Sequence, residues 1–384
     1  MSRQRKKSKA VPLVLVITIL VAALAVGCFL VKPMITDPLR KSSADNLVKQ
    51  QNEAVAQNQE IMAEYNAAIL ELQNQREVQP SNPAWPEHKS EGWDVIDLTN
   101  YPLENQTAVT ASRADLMANG MLLLNEWHSR PEDFDDSKIT SVGKYLGGNK
   151  KIQVDNYNIS LFPVAADALM EAIEAARAEG LEHYIVKEGY RSWETQNSYF
   201  QKRMEKLSSK YQGDALIAAT KKEVNYPGTS EFNSGLSFTL QLYDSKNAEV
   251  AKPKYSTTEQ GKWMNRNCWK YGLVFRFPLA AWPLEETQDK SFKTGVSVTL
   301  NLYRYVGKGN AAVMHYFDFC LEEYIEYLQE HPHIAVFEDG KLKYEIYRQY
   351  VGDANTFNVQ LAGNAREWTS SMDNMGAIVT VFEY

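Results

Sequence analysis

Residues 10–31 (AVPLVLVITILVAALAVGCFLV) are an unbroken run of uncharged, mainly apolar positions. As a helix that run is long enough to cross a hydrocarbon core of about 30 Å. The pattern then turns periodic. Val48, Val55, Met62 and Ile69 recur every seven residues, with Gln51, Asn58, Tyr65 and Leu72 at the other seam position. This predicts a helical stalk over 32–79, either a weak coiled coil or a lone solvated spacer. Pro80, Pro83 and Pro86 end any helix and mark a linker over 80–90.

Beyond the linker, helical and alternating patterns interleave. An apolar helix is expected at about Ser112–Glu126. A second starts at Pro163, buries Leu169, Ile173 and Ala176, and stops at Gly180. A strand at Tyr184–Val186 leads into Gly189–Ser192 and a helix over Trp193–Leu207. Leu236, Phe238, Leu240 and Leu242 alternate with Ser237, Thr239 and Gln241, the signature of a strand. A helix over Gln260–Tyr271 closes at Gly272, a strand follows at Leu273–Phe277, and alternation predicts another strand over Val296–Leu302. Asn310–Gln329 reads as one long helix with Val313, Phe317, Leu321, Tyr324 and Leu328 inward. After His331-Pro332 the pattern turns β, with a hairpin at Asp339-Gly340 and strands near 356–361 and 377–383. The expectation is an α+β domain over 91–330 and a small β-rich extension over 331–384.

Charge changes the picture in two ways. Lys and Arg number 41 against 48 Asp and Glu, a formal charge of −7. Arg3, Arg5, Lys6, Lys7 and Lys9 all precede the apolar run, which leaves 36 basic against 48 acidic residues for the rest. That surface would repel phosphates, so nucleic acid is excluded as a partner. The basic tail over 1–9 predicts a cytoplasmic N-terminus, so the chain is expected to sit in the cell membrane as a single-pass protein with its C-terminal domain extracytoplasmic. Cleavage as a signal peptide and lipoprotein processing at Cys28 are the rival readings. A coiled-coil stalk would make the protein a homodimer.

Chemistry-bearing residues are few. Three cysteines cannot make a disulfide scaffold, and Cys268 and Cys320 read as buried free thiols. His88, His128, His183, His315, His331 and His333 lack an acidic or Cys cluster at ligand spacing and read as surface or capping histidines. Neither H-E-x-x-H nor a Gly-rich phosphate loop occurs.

Three runs, in order, do carry a resemblance. GYRSWETQNSYF (189–200) resembles the arginine loop of the extracellular zinc D-alanyl-D-alanine carboxypeptidases that include VanY. NYPGTSEFNSGLSFTL (225–240) is similar to their S-x-H-x-x-G-x-A-x-D segment. EQGKWMNRNCWKYGLVFRFP (259–278), Thr294-Gly295 and YRYVG (303–307) resemble the segment that ends in E-P-W-H-x-R-Y-V-G. The resemblance spans roughly Trp93 to Leu328 and implies a VanY-like, Hedgehog-like peptidase domain with an antiparallel sheet. It also implies a zinc ion held by two histidines and an aspartate, a glutamate as general base, and a peptidoglycan stem peptide as substrate.

Carried over residue by residue, the metal ligands fall on Phe232, Thr239 and Leu302, and the general base on Thr299. Phe and Leu have no lone pair for zinc, and a threonine hydroxyl takes no proton at neutral pH. No metal, no cofactor and no catalytic residue are therefore expected, and Phe232 and Leu302 are expected to pack together. The matching Ser230, Glu231, Gly235, Phe238, Tyr303, Arg304 and Gly307 imply that the scaffold survives. The resemblance places Arg191, Ser192, Gln196 and Ser230 in the substrate pocket, where a guanidinium can grip a carboxylate with two parallel bonds. A structural Arg191 tied to a neighbouring acid is the equal alternative. Three functions stand open: a membrane-anchored, catalytically inactive homologue that binds stem peptide or a cell-wall enzyme; an active carboxypeptidase with an unrecognised metal site; and a structural or interaction module.

Overall fold

A computed structural model describes residues 92–147 and 152–384, with Lys49 before them. All but Lys49 belong to one compact unit, Asn66–Tyr384. The basic tail, the membrane helix expected over 10–31, Cys28, and, apart from Lys49, the expected stalk lie outside the described residues, as do the linker over 80–90 and His88. Among the described residues no helix is long and apolar enough to cross a membrane.

Along the chain, β1 (Trp93–Asp97) and β2 (Thr107–Ser112) precede the short strands β3 (Thr140–Ser141), β4 (Gln153–Val154) and β5 (Ser160–Leu161). After the helix Pro163–Ala178 comes β6 (Tyr184–Glu188), then the helices Trp193–Leu207 and Gly213–Lys221, and then β7 (Ser237–Leu242). The helix Glu259–Asn267, β8 (Leu273–Phe275) and β9 (Leu302–Tyr305) follow. Two helices, Lys308–Phe317 and Leu321–Glu330, lead to β10 (His333–Glu338), β11 (Lys341–Tyr350), β12 (Thr356–Leu361), β13 (Glu367–Met372) and β14 (Ala377–Glu383).

Two five-stranded sheets result. The first runs β4-β6-β7-β9-β8 and is antiparallel except for β4 beside β6. Its core forms because the buried stripe of Pro163–Ala178 (Leu169, Ile173 and Ala176, all fully buried) meets Phe238, Leu240 and Tyr303 from the sheet. The second runs β1-β10-β11-β14-β13, all antiparallel, and β2 pairs separately with β12. The expected extension over 331–384 therefore shares its pairing with β1 and β2, from the other end of the described chain.

Several expected elements differ. The helix at Ser112–Glu126 is only Arg113–Met117; Gly120 takes φ +131°, where a Cβ would lie 2.9 Å from the Val306 carbonyl oxygen. Met121–Leu124 then runs extended and buried. The long helix over 310–329 is two, because Asp318 turns left-handed at φ 54° and Cys320 with Glu323 caps the second. Its five inward residues are all buried, as the periodicity required. Val296–Asn301 is irregular rather than a strand, with Val298 and Thr299 exposed and β9 starting at Leu302. The Asp339-Gly340 hairpin forms as expected, both residues at positive φ.

Candidate functional site

β6 ends at Glu188, and Gly189–Ser192 links it to the helix Trp193–Leu207. This loop is fixed from both sides by its backbone. The Arg191 N–H donates to the Phe232 carbonyl (3.0 Å), and the fully buried Asn233 amide donates to the Arg191 carbonyl (2.7 Å). Ser192 caps the helix, accepting from the Thr195 N–H at 3.1 Å. Gln196, 1% exposed, donates to the Asn225 carbonyl at 2.8 Å and accepts from Arg191 Nη1 at 3.3 Å.

The second segment is a single 3₁₀ turn, Glu231–Ser234, preceded by the buried Ser230. Gly235 ends it at φ +69°, and a Cβ there would sit 2.7 Å from Ile139 and 2.9 Å from Phe162. Only glycine satisfies both demands. The third segment places Leu302 opposite Thr239 on the next strand, and Thr239 opposite Glu188 on the strand beyond. Glu188, Thr239 and Leu302 thus stand side by side across β6, β7 and β9.

Phe232, Phe277 and Leu302 form one buried apolar cluster, with Val296 and Leu300 packed against it. Phe232 and Leu302 pack together as expected from the sequence. Thr239 is half-buried, and Thr299 is exposed in the irregular stretch outside the cluster. At this cluster the donor set does not fit a zinc ion: two hydrocarbon side chains offer no lone pair, and one hydroxyl cannot hold the metal alone. Among the described residues no group of three His, Cys, Asp or Glu comes together at a distance that could hold a metal.

Arg191 stands at the rim of this cluster, its side chain 23% exposed. Its Nη2 donates to the Glu188 carboxylate, and its guanidinium lies over the Phe232 ring (4.2 Å) and the Tyr199 ring (5.1 Å). Of the four residues expected in a substrate pocket, the structure brings Arg191, Ser192 and Gln196 onto one loop–helix junction. Ser230 lies in the adjacent turn.

Beneath the cluster is a buried charge network. Glu231, fully enclosed, accepts from Arg304 Nη1, from Arg276 Nε (2.8 Å) and from the Ser237 hydroxyl (2.7 Å). Arg276 also makes a two-pronged pair with Glu322 (2.9 and 2.7 Å), to which Asn125 donates at 3.0 Å. Arg304 Nη2 donates to the Gly120 and Leu122 carbonyls, both at 2.7 Å. Burial favours a neutral Glu231, but Arg304, Arg276 and the Ser237 hydroxyl outweigh it and hold the carboxyl below its ordinary range. Two arginines and two glutamates cancel, which is what a dry interior requires. Arg276, Glu322 and Asn125 were not singled out from sequence. The signal for Arg276 was its place in the apolar run Leu273–Phe277, where a charge demands a buried partner.

The histidines divide. His128 bonds Asn125 through Nδ1 (2.8 Å), and His315 is exposed and stacks on Trp269 at 4.3 Å. His333 corrects the surface reading: it is 2% exposed and set between the Tyr101 carbonyl and the Glu345 carboxylate. Cys268 and Cys320 are buried free thiols.

Residues 158–297 match the VanY D-alanyl-D-alanine carboxypeptidase family. A D-alanyl-D-alanine carboxypeptidase of Enterococcus faecium is 29% identical over 279 residues, covering 73% of this chain and 80% of that one. The bifunctional D-Ala-D-Ala dipeptidase and carboxypeptidase VanXYC of Enterococcus gallinarum is 30% identical over 155 residues, covering 40% and 73%. A solved structure of the vancomycin resistance D,D-dipeptidase VanXYg with a D-Ala-D-Ala phosphinate analog shares the fold. Its TM-score is 0.52 at 21% identity, over 72% of this chain and 99% of that one.

Proposed function

We propose, given that the chain belongs to the VanY D-alanyl-D-alanine carboxypeptidase family, that it is a cell-wall carboxypeptidase-like protein that has lost the zinc chemistry and kept the scaffold. The observation that carries this reading is the apolar cluster of Phe232, Phe277 and Leu302, with Thr239 beside it. It stands where the resemblance puts two histidines and an aspartate. An exposed Thr299 at the general-base position supports the same reading. The buried Glu231–Arg276–Arg304–Glu322 network supports a scaffold that folds without metal, since its charges are satisfied from within the chain.

On this reading the protein needs no cofactor. It is held in the membrane by residues 10–31, with its globular part outside, and it engages a peptidoglycan stem peptide or a cell-wall enzyme without cleaving it. The stem-peptide reading draws on relatives whose names state D-Ala-D-Ala as what they act on or bind. The test is the full chain purified in detergent, assayed for zinc and for D-alanine release from a stem pentapeptide. The expected outcome is far less than one zinc per chain and no release. Stoichiometric zinc with chelator-sensitive release would overturn the proposal.

A further inference from the structure

We infer that Glu188 stands on the Arg191 guanidinium as a built-in carboxylate, so that a peptide docking there is one whose end is amidated or continues, and not one ending in a free carboxylate. This rests on the reading of the cleft as a peptide-binding one. A guanidinium offers a planar fork, two faces and five N–H groups. In Arg191, Nη2 donates to Glu188 and Nη1 to Gln196, and Phe232 and Tyr199 lie within 5.1 Å of the guanidinium. The backbone arranges this in advance. Glu188 and Arg191 sit three residues apart at the end of β6, and the Phe232 carbonyl and the Asn233 amide pin the loop between them.

The contact is half exposed, and an ion pair at such a place is weak in isolation. What makes it decisive is competition. A tethered carboxylate acts at an effective concentration in the millimolar range or above, so a free carboxylate of millimolar affinity has to compete with it for the same N–H groups. An uncharged amide end loses nothing, because it does not need the fork. Glu188 is then the residue that decides which peptide ends fit.

The experiment titrates acyl-D-Ala-D-Ala and its C-terminal amide into the isotope-labelled full chain in detergent and follows the amides around Arg191. Wild type, Glu188→Gln, Arg191→Met and the double variant Glu188→Gln/Arg191→Met are compared, each checked for a cooperative unfolding transition. Wild type is expected to prefer the amide. Glu188→Gln should gain about two- to fivefold for the free acid, the range of an exposed ion pair, and the double variant should lose that gain. No gain in Glu188→Gln overturns the inference, as does wild type binding the free acid in a way that Arg191→Met abolishes. Wild type binding neither peptide while Glu188→Gln gains the acid keeps the role of Glu188 and removes the peptide-binding reading instead.

Discussion

Glu231 shows how one motif residue ties several strands together. Its neighbour in sequence, Phe232, has become part of an apolar cluster, yet Glu231 still joins the turn to β7 through Ser237, to β8 through Arg276 and to β9 through Arg304. Phe232 and Leu302 pack in an apolar cluster of their own, whereas Glu231 is tied to the interior by charged partners on three sides. Removing one member of a fully buried ionic network leaves its partners uncompensated and costs about 3–5 kcal/mol. Glu231→Gln should therefore lower the urea unfolding free energy by that order, with Thr299→Ala, on the exposed stretch, within about 0.5 kcal/mol of wild type. Similar small changes for both would show that the network does not hold the fold.

At the scale of elements, the sequence was most legible where one face is buried and a specific residue ends the run. The helix Pro163–Ala178, the strand at 237–242 and the Asp339-Gly340 hairpin follow from periodicity and from the conformational demands of Pro and Gly. It was least legible where backbone bonds go to distant side chains. Met121–Leu124 is apolar enough for a helix, but the Gly120 and Leu122 carbonyls are taken by Arg304, and no local pattern reveals that. The candidate site was legible through its motifs as far as which residues meet; that Glu188 engages Arg191 was not, since a carboxylate three residues away is unremarkable on paper. His333 on β10 is another long-range case. Both ring nitrogens face acceptors, Tyr101 O at 2.7 Å and Glu345 Oε1 at 2.6 Å, an arrangement that favours the doubly protonated ring. Burial pulls its pKa down, but the bonds to Glu345 and Tyr101 prevail and raise it above that of an ordinary imidazole. A raised folded pKa means the stabilisation is full below the unfolded value and disappears as pH rises through the folded one. For Glu345, burial raises the pKa, but His333 and Tyr384 prevail and lower it, so that contribution is lost only in acid. Unfolding in denaturant from pH 5.5 to 9 should show wild type losing stability relative to His333→Gln as the pH rises. Parallel profiles for the two proteins would remove the ion pair from the account.

For the whole described molecule, the stretch from 331 onward is a brace and not an appendage. β10 carries β1, β12 carries β2, and Leu103 and Leu116 share a buried cluster with Phe357, Val359, Met372, Ile378 and Phe382. More telling is what the 371–374 segment does to Met121–Leu124. Ser371 accepts from the Met121 N–H (2.8 Å), the Asp373 carbonyl accepts from the Leu123 N–H (3.3 Å), and Asn374 donates to the Leu123 and Ser129 carbonyls (2.9 and 3.0 Å). Leu122 in this segment and Gly120 just before it give Arg304 its two carbonyl partners, and Arg304 holds Glu231 in the motif turn. The C-terminal strands thus support the Glu231 turn through one continuous chain of bonds. A chain ending at Glu330 would leave β1 and β2 without their partners and the Leu103–Leu116 cluster open to water, and edge strands and apolar surface of that kind drive association. Such a truncation should lose near-ultraviolet circular dichroism, bind ANS and aggregate, the marks of lost packing. Asn374→Ala, which breaks only two of the bracing bonds and leaves buried carbonyls unpaired, should remain folded and cost about 1–3 kcal/mol. It should also broaden the amide signals around Arg191 and Phe232, on the far side of the chain of bonds, if that chain couples the two regions. A truncated chain with wild-type circular dichroism and a cooperative unfolding transition would make the C-terminal strands a separate module and sink the bracing argument, whatever Asn374→Ala does.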